Sequence, residues 1–155
     1  MNKKFFTLLV FALCFFTELV HAQQQDDKRI KIEITLKDGN KTIKGAVRSA
    51  TFSFTRSVNN FSGTESTENK ETNNYFFSLD FEKQDIALLT VFMKNKGGVD
   101  GQITMTDSYG KLPARKFEFT KARIDSLSDQ INADYSSSYF SIICASMMID
   151  GVNVN

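Results

Sequence analysis

The chain has 155 residues, 24% of them charged and 12% aromatic, with 19 basic against 18 acidic side chains and a net charge of +1. A balance this even gives no electrostatic footprint for nucleic acid or for an anionic membrane. There is one histidine, His21, there are two cysteines, Cys14 and Cys144, and there is no tryptophan.

The first 22 residues read as a secretory signal peptide. Lys3 and Lys4 form a positive start. Phe5–Phe16 is an apolar run of 12 residues, too short to span a bilayer comfortably. Val20-His21-Ala22 supplies a cleavage site before Gln23. Removing this leader takes away His21 and Cys14, so the expected mature chain has no imidazole and a single thiol. That excludes Ser-His-Asp and Cys-His catalytic units, an ordinary zinc site and an internal disulfide. Cys144 lies between Ile143 and Ala145, which suits a buried, inert thiol. The expected product is exported, periplasmic or extracellular, with no stable membrane insertion once the leader is gone.

Residues 23–28, QQQDDK, read as a flexible lead-in. Arg29–Lys37 then alternates without a miss, with Ile30, Ile32, Ile34 and Leu36 on one face. Asp38-Gly39-Asn40 is a tight-turn signal, and Lys41–Lys44 a short return strand ending at Gly45. Val47–Arg56 places Ala50, Phe52 and Phe54 inward. Ser57–Asn74 is polar and reads as a long loop or an extended hairpin tip. Tyr75–Phe81 is a strand with Tyr75, Phe77, Leu79 and Phe81 on one face and Phe76 on the other.

A helix is expected at about 83–96. Ile86, Leu89, Phe92 and Met93 mark its apolar face, widened by Leu88. Asp80 or Asp85 is the candidate N-cap, and Gly97-Gly98 is the stop. The β pattern resumes at Gly101–Thr106, turns at Asp107–Gly110, and continues through Arg115–Thr120 into Lys121–Ser128. Asp129–Ser138 reads as a second polar connection. Tyr139–Asp150 is apolar on both faces, as in a central strand or one that meets a partner. Gly151–Asn155 is a short polar tail. The sum is a mainly β chain of seven or eight strands and one helix.

The candidate chemistry is thin. The Asp and Glu residues sit mostly beside turn formers rather than in an isolated pair, which argues against a carboxylate hydrolase. Asp107–Gly110 lacks the alternating ligands and distal Glu of a calcium loop. Gly97-Gly98 follows a helix, where the dipole disfavours phosphate. No catalytic, metal or cofactor-binding residue is assigned, and no cofactor is expected.

The order of elements resembles the Hcp-type tube proteins of type VI secretion, in the form found in Bacteroidetes. The residues that carry the resemblance are Ala50–Val58 (ATFSFTRSV), the strand Tyr75–Phe81 and the helix closing on Lys and Gly. Asp100-Gly101-Gln102-Ile103, the Lys116–Thr120 strand and the Ser/Ile-rich Tyr139–Asp150 complete it. The resemblance implies a single antiparallel β-barrel over residues 29–151 and a non-enzymatic structural role. It also implies a homo-oligomer, a hexameric ring that stacks into a tube and carries an effector. Two departures stand out. The Ser57–Asn74 loop lacks a Gly-Arg-Pro-like sequence, and tube proteins need no signal peptide. The alternative is a secreted or periplasmic β-barrel binding module for a glycan or cell-surface partner. The candidate oligomer or partner interface on this reading is Phe61, Tyr75, Phe76, Tyr139, Ile143 and Met147.

Overall fold

The computed structural model describes residues 29–58 and 71–154. The expected signal peptide, the expected lead-in 23–28 and Phe61 lie outside the described residues.

The strands are β1 (Ile30–Asp38), β2 (Lys41–Val47), β3 (Ser49–Val58), β4 (Glu71–Phe81), β5 (Val99–Asp107), β6 (Arg115–Ile131), β7 (Ser136–Cys144), β8 (Ser146–Ile149) and β9 (Val152–Asn153). One helix, α1 (Ile86–Lys94), separates β4 from β5. The strand order is β2-β1-β5-β6-β7-β4-β3, antiparallel throughout, with β8 on β6 and β9 on β8. Among the described residues the fold is an antiparallel β-barrel with one helix.

The 17-residue β6 makes the barrel possible. Its first half pairs with β5 and β8, and from Arg123 on it pairs with β7. Lys121, at the change of partner, adopts a left-handed φ of 50°. The extra residue flips the inward set from Phe117 and Phe119 to Ala122 and Ile124, as a β-bulge does. Gly98 makes room for this corner. It has a φ of 96°, and a Cβ there would meet the Lys121 backbone at 2.5 Å. The Lys121 amide donates to Asp100 Oδ1 at 2.9 Å. At the opposite corner, between β2 and β3, the Arg48 amide donates to the Asp80 carbonyl at 2.7 Å.

Alternation delivers one apolar core. Ile34, Leu36, Ile103 and Phe119 enter it from one sheet, and Tyr75, Phe77, Leu79, Phe81, Phe140 and Ile142 from the other. Phe77 joins the sheets, with ring centroids 5.9 Å from Phe117 and 5.8 Å from Phe119.

The helix lies in a different phase from the one its sequence suggests. Leu88, Val91 and Phe92 are buried, while Ile86 is 63% and Met93 56% exposed. Two constraints set this phase. Asp85 is the N-cap, its carboxylate accepting from the Leu88 amide at 3.1 Å. Gly45 in β2 offers a bare backbone directly under the Leu88 side chain. That glycine therefore lies inside β2, which runs on to Val47, rather than ending it.

Other boundaries move as well. Residues 57, 58 and 71 to 74, expected in the loop, belong to β3 and β4. The connection before β7 shrinks to residues 132–135, because period-2 alternation carries β6 on to Ile131. The apolar stretch Tyr139–Asp150 is two strands, broken at Ala145, where the chain leaves β7 and pairs with the first half of β6. The expected tail contains β9, reached through Asp150-Gly151 with φ of 49° and 84°, the conformation of a two-residue hairpin turn.

Candidate functional site

One side of the barrel is the four-stranded sheet β3-β4-β7-β6. Its two outer members each have one partner: β3 is hydrogen-bonded to β4, and β6 from Arg123 to Ile131 to β7. Both edges present an unpaired ladder of N–H and C=O groups to their other side among the described residues.

Both edges also carry exposed apolar residues on the row that faces the core. Phe54 pairs with buried Tyr75 yet is 48% exposed. Leu127 pairs with buried Phe140 yet is 40% exposed, and Ile131 reaches 77%. The inward row thus overruns the barrel at both edges.

The opposite face of the same sheet looks outward, and the register fixes its grid. One row across β3, β4, β7 and β6 is Thr51, Ser78, Ser141 and Ser126. The row beside it is Ser53, Phe76, Ile143 and Arg123, and on the other side lie Ser49, Asp80, Tyr139 and Ser128. Asp80 is engaged by Arg48, whose Nε and Nη2 donate at 2.9 and 2.7 Å.

The six residues singled out from the sequence separate into three groups. Phe76, Tyr139 and Ile143 stand on this outer face, with Phe76 and Ile143 half-buried and Tyr139 41% exposed. Tyr75 and Met147 are corrections, each only 1% exposed and part of the core. Tyr75 belongs to the inward set of β4, and its hydroxyl donates to the Val154 carbonyl at 3.2 Å. Met147 points inward because the break at Ala145 resets the alternation between β7 and β8. Phe61 is outside the described residues.

Sequence reasoning missed Phe54, Leu127 and Ile131 as edge residues. The signal for two of them was present. Leu127 and Ile131 alternate with Ser126, Ser128 and Gln130, and that alternation runs past the point where the strand was expected to stop.

The charged groups serve structure. Asp107 closes the β5–β6 connection, and its side chain has no exposed surface. Arg29 donates to both its oxygens at 3.2 Å, and the amides of Tyr109, Lys111 and Leu112 donate at 3.0, 3.1 and 2.9 Å. The Arg29 hydrogen bonds, the backbone donors and the Arg29 charge outweigh desolvation and hold this carboxyl at a pKa of about 2. Cys144 is buried, its thiol donating to the Tyr75 carbonyl at 3.6 Å, and burial pushes its pKa up to about 12. Among the described residues no cluster of three His, Cys, Asp or Glu side chains is placed to hold a metal ion. An open cleft of about 680 Å³ at the Arg48 corner mixes apolar Ile32, Val47 and Phe81 with Lys83 and Asp85. Asp85 is committed to the helix cap.

No family model and no curated protein matches the sequence. Solved structures do match the fold. Hcp1 from Flavobacterium johnsoniae is 14% identical and aligns with a TM-score of 0.55 over 81% of this chain and 98% of its own. Hcp1 from Salmonella typhimurium is 12% identical, with a TM-score of 0.55 over 77% and 84%. A chain of the anti-feeding prophage baseplate, a 6-fold symmetrised structure, is 12% identical with a TM-score of 0.52 over 80% and 93%. The fold is Hcp-like, reached by a divergent sequence.

Proposed function

We propose that this protein is a non-enzymatic structural subunit that assembles head to tail into a closed ring, in the manner of an Hcp-like tube component, after export through its leader. The observation that carries the reading is the sheet β3-β4-β7-β6, whose two edges have no further strand partner among the described residues. Four antiparallel strands leave the two edges running in opposite directions. A copy rotated about an axis beside the sheet therefore brings its β3 antiparallel to the β6 edge of its neighbour.

Such a pairing continues the backbone ladder and the apolar row together. Phe54 of one copy meets Leu127 and Ile131 of the next, so surface exposed at both edges is covered at once. The two edges are different surfaces, so the contact is heterologous and generates a ring when the rotation closes. Six copies is the size this reading takes, in keeping with the 6-fold symmetrised baseplate whose chain is similar.

Export is supported by Lys3, Lys4, the apolar run Phe5–Phe16 and the Val20-His21-Ala22 site. It puts the assembled protein in the periplasm or outside the cell. N-terminal mass analysis of protein recovered from cell-envelope and culture fractions tests this, with Gln23 as the expected first residue; a chain that retains Met1 and stays in the cytosol contradicts it.

Light scattering coupled to size-exclusion chromatography tests the assembly. The chain beginning at Gln23 should elute as a discrete oligomer whose population rises with concentration. Replacing Leu127 and Ile131 with Asp should return it to a monomer with an unchanged fold.

A further inference from the structure

We infer that the outer face of β3-β4-β7-β6 is a docking surface for a neutral polysaccharide. This does not depend on ring formation, because edge pairing uses the strand edges and leaves that face uncovered.

The face differs from the rest of the molecule in its chemistry. In a chain with 24% charged residues, the three registered rows hold twelve side chains, of which seven are Ser or Thr. The full row Thr51–Ser78–Ser141–Ser126 is hydroxyl on all four strands. Two charged groups occupy registered positions, Asp80 being neutralised by Arg48, and an exposed carboxylate, Asp125, is the extra residue of the bulge between Ile124 and Ser126. Lys and Arg, the usual anchors for an acidic polymer, are absent from the two rows that contain Tyr139 and Thr51. The lone cation, Arg123, is at one rim of the remaining row.

Neighbouring strands place these hydroxyls about 4.8 Å apart, and successive outward residues on a strand stand about 6.8 Å apart. That grid sets donor-acceptor groups in ranks across the outer face of a twisted sheet. Each hydroxyl can donate and accept, which matches a ligand whose own groups do the same. Three apolar side chains interrupt the grid. Tyr139 is 41% exposed, and Phe76 and Ile143 are half-buried side by side on adjacent strands. They offer platforms for the C–H face of a sugar ring, and Tyr139 adds a phenolic hydroxyl. Neutrality selects the class of partner. Among the described residues an anionic polymer or a charged peptide finds one cation on these rows that has no carboxylate partner, whereas a neutral glucan finds hydroxyls and ring platforms across all three.

Native electrophoresis of the chain beginning at Gln23, in gels containing laminarin, lichenan or hydroxyethylcellulose with alginate as the anionic control, tests the inference. Retardation is expected in at least one neutral gel, with little in alginate, and it should persist when salt is raised because no ion pairs carry it. The variant Thr51→Val/Ser78→Ala/Ser141→Ala/Ser126→Ala should bind about tenfold more weakly while keeping its circular dichroism spectrum. Tyr139→Ala alters one exposed side chain and reads the same face if the fourfold variant loses its fold; it too should weaken retention. Unretarded migration of the natural sequence in every neutral gel overturns the inference. So does retention confined to alginate, or retention that survives both the Tyr139 change and the loss of the hydroxyl row. The oligomeric state, measured on the same samples, reports separately on the ring.

Discussion

The two halves of β6 have much the same sequence character and opposite fates. Arg115–Ala122 is paired on both sides, by β5 and by β8, and it sends Phe119 and Ala122 into the core at 2% and 0% exposure. Arg123–Ile131 is paired on one side, and its Leu127 and Ile131 remain 40% and 77% exposed. Alternation decides which residues share a face; neighbouring strands decide whether that face is covered. On the proposed reading, the first half serves stability and the second serves assembly.

The sharpest way to break that comparison is to truncate one residue on each half. Phe119→Ala should cost about 3–5 kcal/mol in urea unfolding, because its ring fills the core beside Gly101 and Phe77. Leu127→Ala should leave the unfolding of the monomer within about 0.5 kcal/mol and be felt in assembly. Equal losses in the two variants would erase the distinction.

The corner between the halves comes next. Gly98→Ala forces a side chain into a left-handed conformation and into the Lys121 backbone. A loss of more than about 1 kcal/mol is expected, because the corner must open before the chain can change partners. Gly97→Ala, whose added carbon meets nothing within 4 Å, is the matched control and should be nearly silent in the same urea titration.

A smaller effect comes from Asp107, which closes the connection leading into the first half of β6. Asp107 is lowered from 3.8 to about 2 by Arg29 and the backbone amides. A carboxyl depressed by folding adds stability above its unfolded pKa and loses that stability as pH falls through its folded pKa. The Asp107 contribution is therefore complete above about pH 4 and disappears toward pH 2. Asp107→Asn should lower the melting temperature at neutral pH and flatten the acid limb of a melting-temperature profile in that window.

The readable part of the fold was the part governed by local period. The inward sets of β1 and β4 follow from alternation alone, and the helix was visible from its length and its Gly97-Gly98 stop. The helix phase was not. Ile86, Leu89, Phe92 and Met93 and the stripe Leu88, Val91 and Phe92 are both apolar, and the choice between them is made by Gly45, some forty residues away. Tyr75 and Met147 show the same limit. Tyr75 alternates with Phe77 and Leu79 yet stands among the interface candidates; its hydroxyl donates to the Val154 carbonyl, from the other end of the chain. The inward turn of Met147 depends on the chain leaving β7 at Ala145, a tertiary event with no local signature. Phe76, Tyr139 and Ile143 could be placed on an outer face from parity alone. Free edges, in contrast, are properties of strand order, so Phe54, Leu127 and Ile131 emerged only with the sheet.

The most direct measurement is native mass spectrometry or light scattering of the chain from Gln23 across a concentration series, with the Leu127→Asp/Ile131→Asp variant beside it. Edge-to-edge assembly predicts one discrete closed oligomer for the natural sequence and a folded monomer for the variant. A natural sequence that stays monomeric at high micromolar concentration, or a variant that assembles just as well, contradicts it.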